Sequence, residues 1–325
     1  MPGTSHRPPP AGATVRIPRP RSSSPALIHE ADFFNGTADM LTRTVPFLYE
    51  AVAGGEPALV MLHPERAAAV RAALGADADR ITFLDKTAHH QPGSLIQIWQ
   101  AFLAEHPQPW VRGIDEPLRA GARAAETAEA QFHERLIGDA FSGTGQGLLL
   151  RCLYDVDTFG PRELADARAT HAVIGGELRN GYAEARVGPD LFTAGLPTPP
   201  PRAHREPFAG ARSLAWARRQ VLVRARLAGL PPERCYDLVM AVNELVTNAI
   251  SHGGGNGLLS IWQEDGHLVC DIHDLGRRVD GSGRLVPSLT WRYGRGLWLV
   301  HSLCDLVQLR SSHAGTTARV HMALH

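Results

Sequence analysis

One line of polar side chains on an otherwise apolar helix constrains this chain more than any other feature. The stretch from Pro231 to His252 carries apolar residues at helical spacing, and Glu244, Asn248 and His252 follow one another at intervals of four residues. Because a helix turns once in 3.6 residues, these three side chains share one narrow face. Such a face is either a hydrogen-bonded stripe at a domain surface or part of a functional site, and the helix alone leaves both open.

Composition sets the outer bounds of the fold. A length of 325 residues, 44% of them hydrophobic, predicts about two globular domains. The 33 basic and 33 acidic side chains balance, which indicates neither nucleic acid nor an anionic membrane as a partner. No apolar run approaches the roughly 18 residues that span a bilayer. The four cysteines form no C-x-x-C pair, so we expect a reducing cytoplasm.

Proline-rich segments divide the chain into four parts. Residues 1–25 are crowded with Pro, Arg, Ser and Gly and lack an apolar core, which predicts a disordered tail and no secretory signal. Residues 183–207 lose periodicity and collect prolines, which predicts an extended linker. We therefore expect one domain over residues 26–182 and a second over residues 208–325.

The first domain alternates between helical and strand-like segments. Amphipathic patterns predict helices at 39–53, 64–74, 96–105 and 124–141, and short apolar runs predict strands at 56–62, 81–85, 110–114 and 147–154. This alternation predicts an α/β domain with a mostly parallel sheet covered on both faces.

Ligands of such sheets bind beyond the carboxyl ends of the strands. The residues expected there are His63, Asp85, Asp115, Glu116, Tyr154 and Asp155. The loop after the strand at 56–62 has neither the glycines nor the lysine of a phosphate-binding loop. The glycine-rich run Ser142–Gly147 also lacks a lysine and precedes a strand, so we interpret it as a plain loop.

A series of short motifs runs through the first domain in a fixed order. They are His29, Phe33-Phe34, residues 45–48, 55–56, 83–85 and 112–117, Glu134, residues 152–155, Thr170-His171 and Tyr182. With these motifs the domain resembles the MEDS sensory domain of bacterial regulators, although Leu153 and Ala172 stand where proline is expected. The resemblance implies a domain that senses small molecules without catalysis.

Several residues of this domain are candidates for a sensory ligand site. Imidazole and thiolate are suitable donors for a metal or haem, so His29, Cys152 and His171 suggest a ligand set. Isolated histidines and cysteines are also commonly packed without any ligand, and the sequence leaves both readings open. The full candidate set is His29, Asp85, Cys152, Tyr154, Asp155 and His171.

The second domain combines helices with hairpins. We expect helices at 209–228, 231–252 and 294–305, paired strands at 258–263 and 267–273, and a closing hairpin of strands at 307–311 and 317–324. Four short motifs follow in order: E-x-x-x-N at Glu244, D-x-G at Asp274, G-x-G-L at Gly294 and G-T at Gly315.

These motifs, in this order and on these elements, resemble the ATP-binding (GHKL) domain that gyrase, histidine kinases and anti-sigma factor serine kinases share. Residues 244–249 and 294–297 are most similar to the anti-sigma factor kinases. The resemblance implies an α/β sandwich whose mixed sheet carries helices on one face. The expected ligands are ATP and Mg²⁺.

Each motif has a predicted chemical role. Asn248 offers a neutral oxygen to Mg²⁺, and Asp274 accepts the adenine amine beside Gly276. Phosphates are expected at the helix start formed by Gly294, Arg295, Gly296 and Leu297, and Thr316 or Thr317 closes the adenine side. Glu244 is the predicted general base. Arg277-Arg278 departs from the second glycine that is usual after the D-x-G motif.

The sequence thus predicts a cytoplasmic serine/threonine kinase of the anti-sigma factor type, with a sensory domain that binds a small molecule. The resemblance implies a sigma factor and an antagonist protein as partners and leaves a homodimer open. A non-catalytic ATP-binding switch that sequesters its partner is the alternative. A histidine kinase is disfavoured because the His133-Glu134-Arg135-Leu136 run lies inside the sensory domain and prolines precede residue 208.

Overall fold

The computed structural model describes residues 27–86, 92–141, 145–178, 195–276, 294–312 and 314–324. Its contacts fall into two compact units. The first comprises Met1–Asp85, His106–Glu116 and Gly143–Glu184, and the second comprises Lys86–Glu105, Pro117–Ser142 and Ala185–His325. None of the described helices combines the length and the hydrophobicity needed to cross a bilayer.

Eight α-helices are described. They are α1 (Gly36–Gly54), α2 (Pro64–Leu74), α3 (Pro92–Glu105), α4 (Ala124–Phe141), α5 (Pro161–Thr170), α6 (Ser213–Leu227), α7 (Pro232–His252) and α8 (Gly294–Leu303). A short 3₁₀ helix, Gly75–Arg80, follows α2. The α2 helix occupies the predicted 64–74 span because Pro64 suits the first helical turn and Gly75, with a φ of 57°, follows its last residue.

The sheet of the first unit has seven strands. They are β1 (Leu27–Phe34), β2 (Ala58–Leu62), β3 (Thr82–Asp85), β4 (Trp110–Asp115), β5 (Gly147–Asp155), β6 (Val173–Ile174) and β7 (Glu177–Leu178). Their order is β3-β2-β4-β5-β1-β6-β7, and every pairing is parallel except that of β6 with β7. The expected α/β class with a mostly parallel sheet is confirmed.

The second unit contains a five-stranded sheet. Its strands are β8 (His204–Ala209), β9 (Asn256–Glu264), β10 (His267–Asp274), β11 (Leu306–Ser312) and β12 (Gly315–Ala323), in the order β11-β12-β10-β9-β8. The α/β class is again confirmed, but all four pairings are antiparallel, so the sheet is not mixed as predicted. The reason is that β9 and β10 form one hairpin and β11 and β12 another, and the hairpins join through antiparallel pairing of β10 with β12.

Helices α6 and α7 cover one face of this sheet. The apolar side of α7, including Leu238, Val242 and Val246, is buried against strand residues such as Ile272 and Val320. The remaining polar side of α7 is therefore turned away from the core. This arrangement follows from the amphipathic pattern of the helix, since burial of each large aliphatic side chain contributes about 1.5–3 kcal/mol.

The opposite face of the sheet also meets helical residues at its edge strand, β11. Glu129 of α4 is 1% exposed, and its carboxylate accepts two hydrogen bonds from Arg310, of 3.1 and 2.6 Å. It also pairs with His133 at 3.2 Å. Burial acts to raise the pKa of Glu129, but the His133 and Arg310 contacts outweigh it and lower that pKa to about 2. Residues of α4 thus pack against the edge strand of this sheet.

A second buried polar side chain extends this network. His321 on β12 is 2% exposed. Its Nδ1 lies 3.4 Å from the Arg123 guanidinium and its Nε2 lies 3.1 Å from the Gln308 amide oxygen. Because Arg123 can only donate and that oxygen can only accept, the ring is neutral with its proton on Nε2. Burial and the nearby arginines lower the pKa of His321 to about 3.

Some predicted features fall outside the described residues. They are the tail at 1–25, residues 183–194 of the linker, Tyr182, and Arg277-Arg278 after the D-x-G motif.

Candidate nucleotide site

The polar face of α7 is the centre of the candidate site. Glu244 and Asn248 are each partly exposed, while Leu245, Val246 and Ala249 beside them are buried. Neither polar side chain forms a hydrogen bond to any other residue that the structure describes. His252, one turn further on, is exposed at the end of the helix. The core thus fixes the helix orientation and leaves a carboxylate and a carboxamide available at its surface.

The first turn of α8 comes up against this face. A methyl group placed on Gly296 would lie 2.7 Å from Oε2 of Glu244 and 4.0 Å from Nδ2 of Asn248. Such a distance to the carboxylate is shorter than any normal contact, so only glycine fits without a shift of Glu244. The N-terminal backbone N–H groups of a helix attract anions, and here they lie beside a carboxamide that can bind a metal. Gly294 and Arg295 open the same turn, and Leu297 packs partly against the core.

Asp274, at the end of β10, is held by close backbone packing. Its side chain is 7% exposed, and Oδ1 accepts a hydrogen bond of 2.8 Å from the Gly276 N–H. A methyl on Gly276 would lie 2.2 Å from the Cα of Gly253, and one on Gly253 would lie 2.4 Å from the Asp274 carboxyl carbon. Glycines at both positions therefore let the end of α7 approach the end of β10. No motif in the sequence indicated this role of Gly253.

The beginning of β12 completes this region. The Thr316 hydroxyl donates a hydrogen bond of 3.1 Å to the carbonyl of Gly276 and lies 3.2 Å from the hydroxyl of Ser311. Thr317 points to the other face of the sheet and pairs with His273 at 3.0 Å. The structure thus brings Thr316, but not Thr317, to the D-x-G segment. Ser311 is an additional polar contact that no sequence motif indicated.

These residues match the chemical requirements of an adenine nucleotide with Mg²⁺. Asp274 has carboxylate oxygens that can accept from an amine, and one of them accepts the Gly276 amide. Asn248 offers a hard oxygen for Mg²⁺. The close approaches at Gly276 and Gly296 show cradles that a side chain would fill. The donor set and the glycine positions therefore fit the expected ligand.

The sensory candidates of the first unit divide into two groups. His29 on β1 and Cys152 on β5 approach to 3.3 Å, and the rings of His29 and His171 lie 3.9 Å apart. Tyr154 contacts the His171 ring edge to face, with 5.7 Å between centroids. These four side chains are buried and adjacent.

The other two candidates lie elsewhere. Asp155 accepts a 2.6 Å bond from Arg66, which also pairs with Glu116. Asp85 is on β3, separated from β5 by β2 and β4 in the sheet. The carboxyl ends of the strands therefore hold an internal ion-pair cluster, and the candidate set is not a single site.

Two families match the sequence. Residues 28–172 match MEDS, the MEthanogen/methylotroph, DcmR Sensory domain. Residues 209–322 match the histidine kinase-like ATPase domain. The molecule therefore joins a domain of sensory type to an ATPase domain. More particularly, it contains a MEDS domain followed by a GHKL-like ATPase domain, as the resemblances predicted.

Solved structures show partial likenesses. The RsbU and RsbW domains of Rv1364c from Mycobacterium tuberculosis are 20% identical over 39% of this chain, with a TM-score of 0.29. The chain spans 33% of that protein's length. Histidine kinase AdeS from Acinetobacter baumannii is 16% identical over 38% of this chain and 69% of its own, with a TM-score of 0.25. The KaiC-like protein PH0186 from Pyrococcus horikoshii OT3 is 12% identical over 46% of this chain and 70% of its own, with a TM-score of 0.32. No curated protein sequence matches the chain.

Proposed function

We propose that this protein is a regulatory serine/threonine protein kinase of the anti-sigma factor type, controlled by its small-molecule sensory domain. The observation that carries the proposal is the meeting of Glu244, Asn248 and Gly296, with the N-terminal turn of α8 against the polar face of α7. A metal ligand, a phosphate-binding turn and a carboxylate base are then within one small region. Phosphoryl transfer depends mainly on such positioning and on electrostatic stabilisation.

Nucleotide binding is assigned to four elements. Asn248 would hold Mg²⁺, and the backbone N–H groups at Gly294 and Gly296 would hold phosphates. Asp274 would accept the adenine amine beside Gly276, and Thr316 supports that segment through its bond to the Gly276 carbonyl. When bound, MgATP supplies the phosphoryl group and neutralises part of its charge.

Glu244 is the proposed general base. Its carboxylate is partly exposed, so an incoming serine or threonine hydroxyl can reach it. It has no described hydrogen-bond partner to give up, and it lies one helical turn from Asn248. Accepting the hydroxyl proton at a Glu244 oxygen would make the attacking oxygen a better nucleophile. A positioned base of this kind contributes about 10²- to 10⁴-fold to the rate.

The proposed partners follow from the resemblance to anti-sigma factor kinases. They are an antagonist protein, phosphorylated on serine or threonine, and a sigma factor that is bound and inhibited. We propose that the chain acts in the cytoplasm, and that dimerisation through the ATPase domain is compatible with this role. Because Glu244 is partly exposed, its position is compatible with transfer of the phosphoryl group to a hydroxyl of another protein.

The proposal is tested with the purified full-length chain, Mg²⁺, ATP labelled at the γ-phosphate and candidate antagonist proteins. We expect labelled serine or threonine in one antagonist, and a loss of about 10²-fold or more in Glu244→Gln, which keeps the shape of the side chain and removes its basicity. Glu233→Gln is the matched control, because Glu233 is exposed in the first turn of the same helix. This control is expected to transfer at the rate of the unaltered chain.

Two results would contradict the proposal. ATP binding without transfer to any antagonist would favour the non-catalytic switch, in which nucleotide only sets the affinity for a partner. Binding and Mg²⁺ dependence that survive in Asn248→Ala would show that the nucleotide site is elsewhere.

A further inference from the structure

Three buried side chains in the first unit bring metal-binding atoms together. His29 lies on β1 and Cys152 on the neighbouring strand β5, and the register pairs Ala31 with Cys152, so the two side chains share one face of the sheet. His171 follows the last residue of α5 and reaches the same place. Their exposed fractions are 6%, 0% and 0%. One ligand atom from each lies within 4.8 Å of the others.

The distances suit a shared metal ion. In a tetrahedral site with metal–sulfur and metal–nitrogen bonds of about 2.3 and 2.0 Å, sulfur and nitrogen are about 3.5 Å apart. The observed separation of Cys152 Sγ and His29 Nε2 is 3.3 Å. The structure therefore holds this pair at nearly the ligand-to-ligand spacing that a zinc-type ion requires.

The tautomer of His171 points to the same use. Its Nδ1 lies 2.7 Å from the carbonyl oxygen of Ala167, which can only accept a hydrogen bond. Nδ1 must therefore carry a proton, and in the neutral ring the lone pair is on Nε2. Metal-binding histidines commonly have this arrangement, in which one ring nitrogen donates to a backbone carbonyl and the other binds the ion. Tyr154, edge-on to the ring at 5.7 Å, further restricts its orientation.

We propose that His29, Cys152 and His171 bind a divalent ion of borderline softness, with Zn²⁺ the best match. Two imidazoles and a thiolate favour such an ion over Mg²⁺ or Ca²⁺, which prefer oxygen. On binding, the Cys152 thiol loses its proton to solvent and forms the metal–sulfur bond. The fourth tetrahedral position takes a further donor, either an oxygen of the protein or a small exogenous molecule. The site is independent of the proposed kinase chemistry.

The test uses the full-length chain stripped of metal by a chelator and titrated with Co²⁺, which reports thiolate ligation through near-ultraviolet charge-transfer absorption. We expect one equivalent of Co²⁺ to produce this absorption together with intense tetrahedral bands in the visible range, and Zn²⁺ to displace it. Cys152→Ala is expected to lose the charge-transfer band, and His171→Gln to weaken Co²⁺ binding by about 10-fold or more. Cys235→Ala is the matched control, because Cys235 is also buried but belongs to the second unit, and it should keep the full spectrum.

The unaltered protein decides the question even if a variant fails to fold. An absence of the charge-transfer band in the unaltered chain, or its persistence in a Cys152→Ala chain with native circular dichroism, would overturn the proposal. The more conservative Cys152→Ser variant separates the effects, since its folding is expected to match the unaltered chain while its sulfur-to-cobalt absorption is lost. ATP binding measured on the same samples shows whether the nucleotide site is intact, so a failed metal site and a failed kinase assignment are distinguishable.

Discussion

The carboxyl end of the parallel sheet and the polar face of α7 use acidic side chains in opposite ways. At the sheet, Glu116 and Asp155 are 2% and 7% exposed, and Arg66 pairs with both. On α7, Glu244 is partly exposed and makes no described side-chain bond. Both regions occupy positions where ligands are expected. The difference teaches that a carboxylate at such a position indicates a site only when its charge is not already neutralised within the fold.

The largest expected effect comes from removing the cation from the ion-pair cluster at the carboxyl end of the parallel sheet. Arg66→Met would leave two buried carboxylates without their cation, and we expect the free energy of unfolding to fall by about 2–4 kcal/mol, somewhat below the value for a fully buried pair because Arg66 is 23% exposed. Urea unfolding measures the loss of free energy, and hydrogen exchange of the amides in the first unit shows that the loss lies there. Arg162→Met, at an exposed position on α5, should change it by less than about 0.5 kcal/mol. Equal effects of the two substitutions would show that Arg66 does not hold the cluster.

An effect of intermediate size comes from adding a methyl group beside the polar face of α7. In Gly296→Ala, the added methyl would displace the Glu244 carboxylate. We therefore expect phosphoryl transfer to slow by about 10²-fold, which corresponds to an increase of about 2.7 kcal/mol in the activation free energy. Gly138→Ala is the matched control, since nothing lies within 4 Å of a methyl there. It should preserve transfer and stabilise α4 by about 0.5–1 kcal/mol. An unchanged rate in Gly296→Ala with normal ATP binding would contradict the role of this contact.

The smallest expected effect is a decrease in stability at acid pH, which we attribute to the buried His321 and not to the exposed His252. The pKa of His321 is lowered to about 3 in the folded protein, against an ordinary value of 6.5. As the pH falls below 6.5, the unfolded chain gains a proton that the folded chain does not, so stability decreases. The loss from this group is about 2 kcal/mol at pH 5. Unfolding free energies at pH 7 and pH 5 measure it.

Two controls assign that loss. His321→Asn should remove about 2 kcal/mol of the decrease between pH 7 and pH 5, and the remainder includes a similar loss from His301, whose pKa burial lowers to about 4. His252→Asn should leave the decrease unchanged because His252 is exposed. Glu129 does not contribute in this window. Its pKa is lowered from 4.5 to about 2, so its stabilisation is present above about pH 4.5 and is lost only as the pH falls toward 2. A decrease of equal size in His321→Asn would place the titrating group elsewhere.

Local patterns predicted much of the fold. The spans of α2 and α4 were predicted to the residue, and the order of strands and helices in the second unit was nearly complete. Strand β1 was missed because Glu30 and Asp32 interrupt its apolar pattern, and their partners Arg151 and Arg43 are identified only by tertiary contacts. Strand β8 was missed because it contains Pro207, which is tolerated at this edge of the sheet.

The candidate site was predictable as a list of residues but not as a geometry. Motif order identified Asn248, Asp274 and Gly276, since each is characteristic of its element. The approach of Gly296 to Glu244 depends on how α8 packs against α7, which no local pattern encodes. The same limit explains Glu129 and Arg310, which are 181 residues apart and meet only in the folded protein. The roles of the site residues remain predictions for the experiments above.

Helices α3 and α4 have a consequence for how this protein can be divided. They lie within the stretch that matches the sensory family, 28–172, yet they pack in the same compact unit as the ATPase sheet. Cutting the chain in its proline-rich segment would place Arg310 and its ion-pair partner Glu129 on different fragments. The edge strand β11 would then be exposed to solvent and to other chains. The two halves are therefore not interchangeable modules, and an exchange of sensory domains between proteins of this type would have to carry a compatible α4 surface with it.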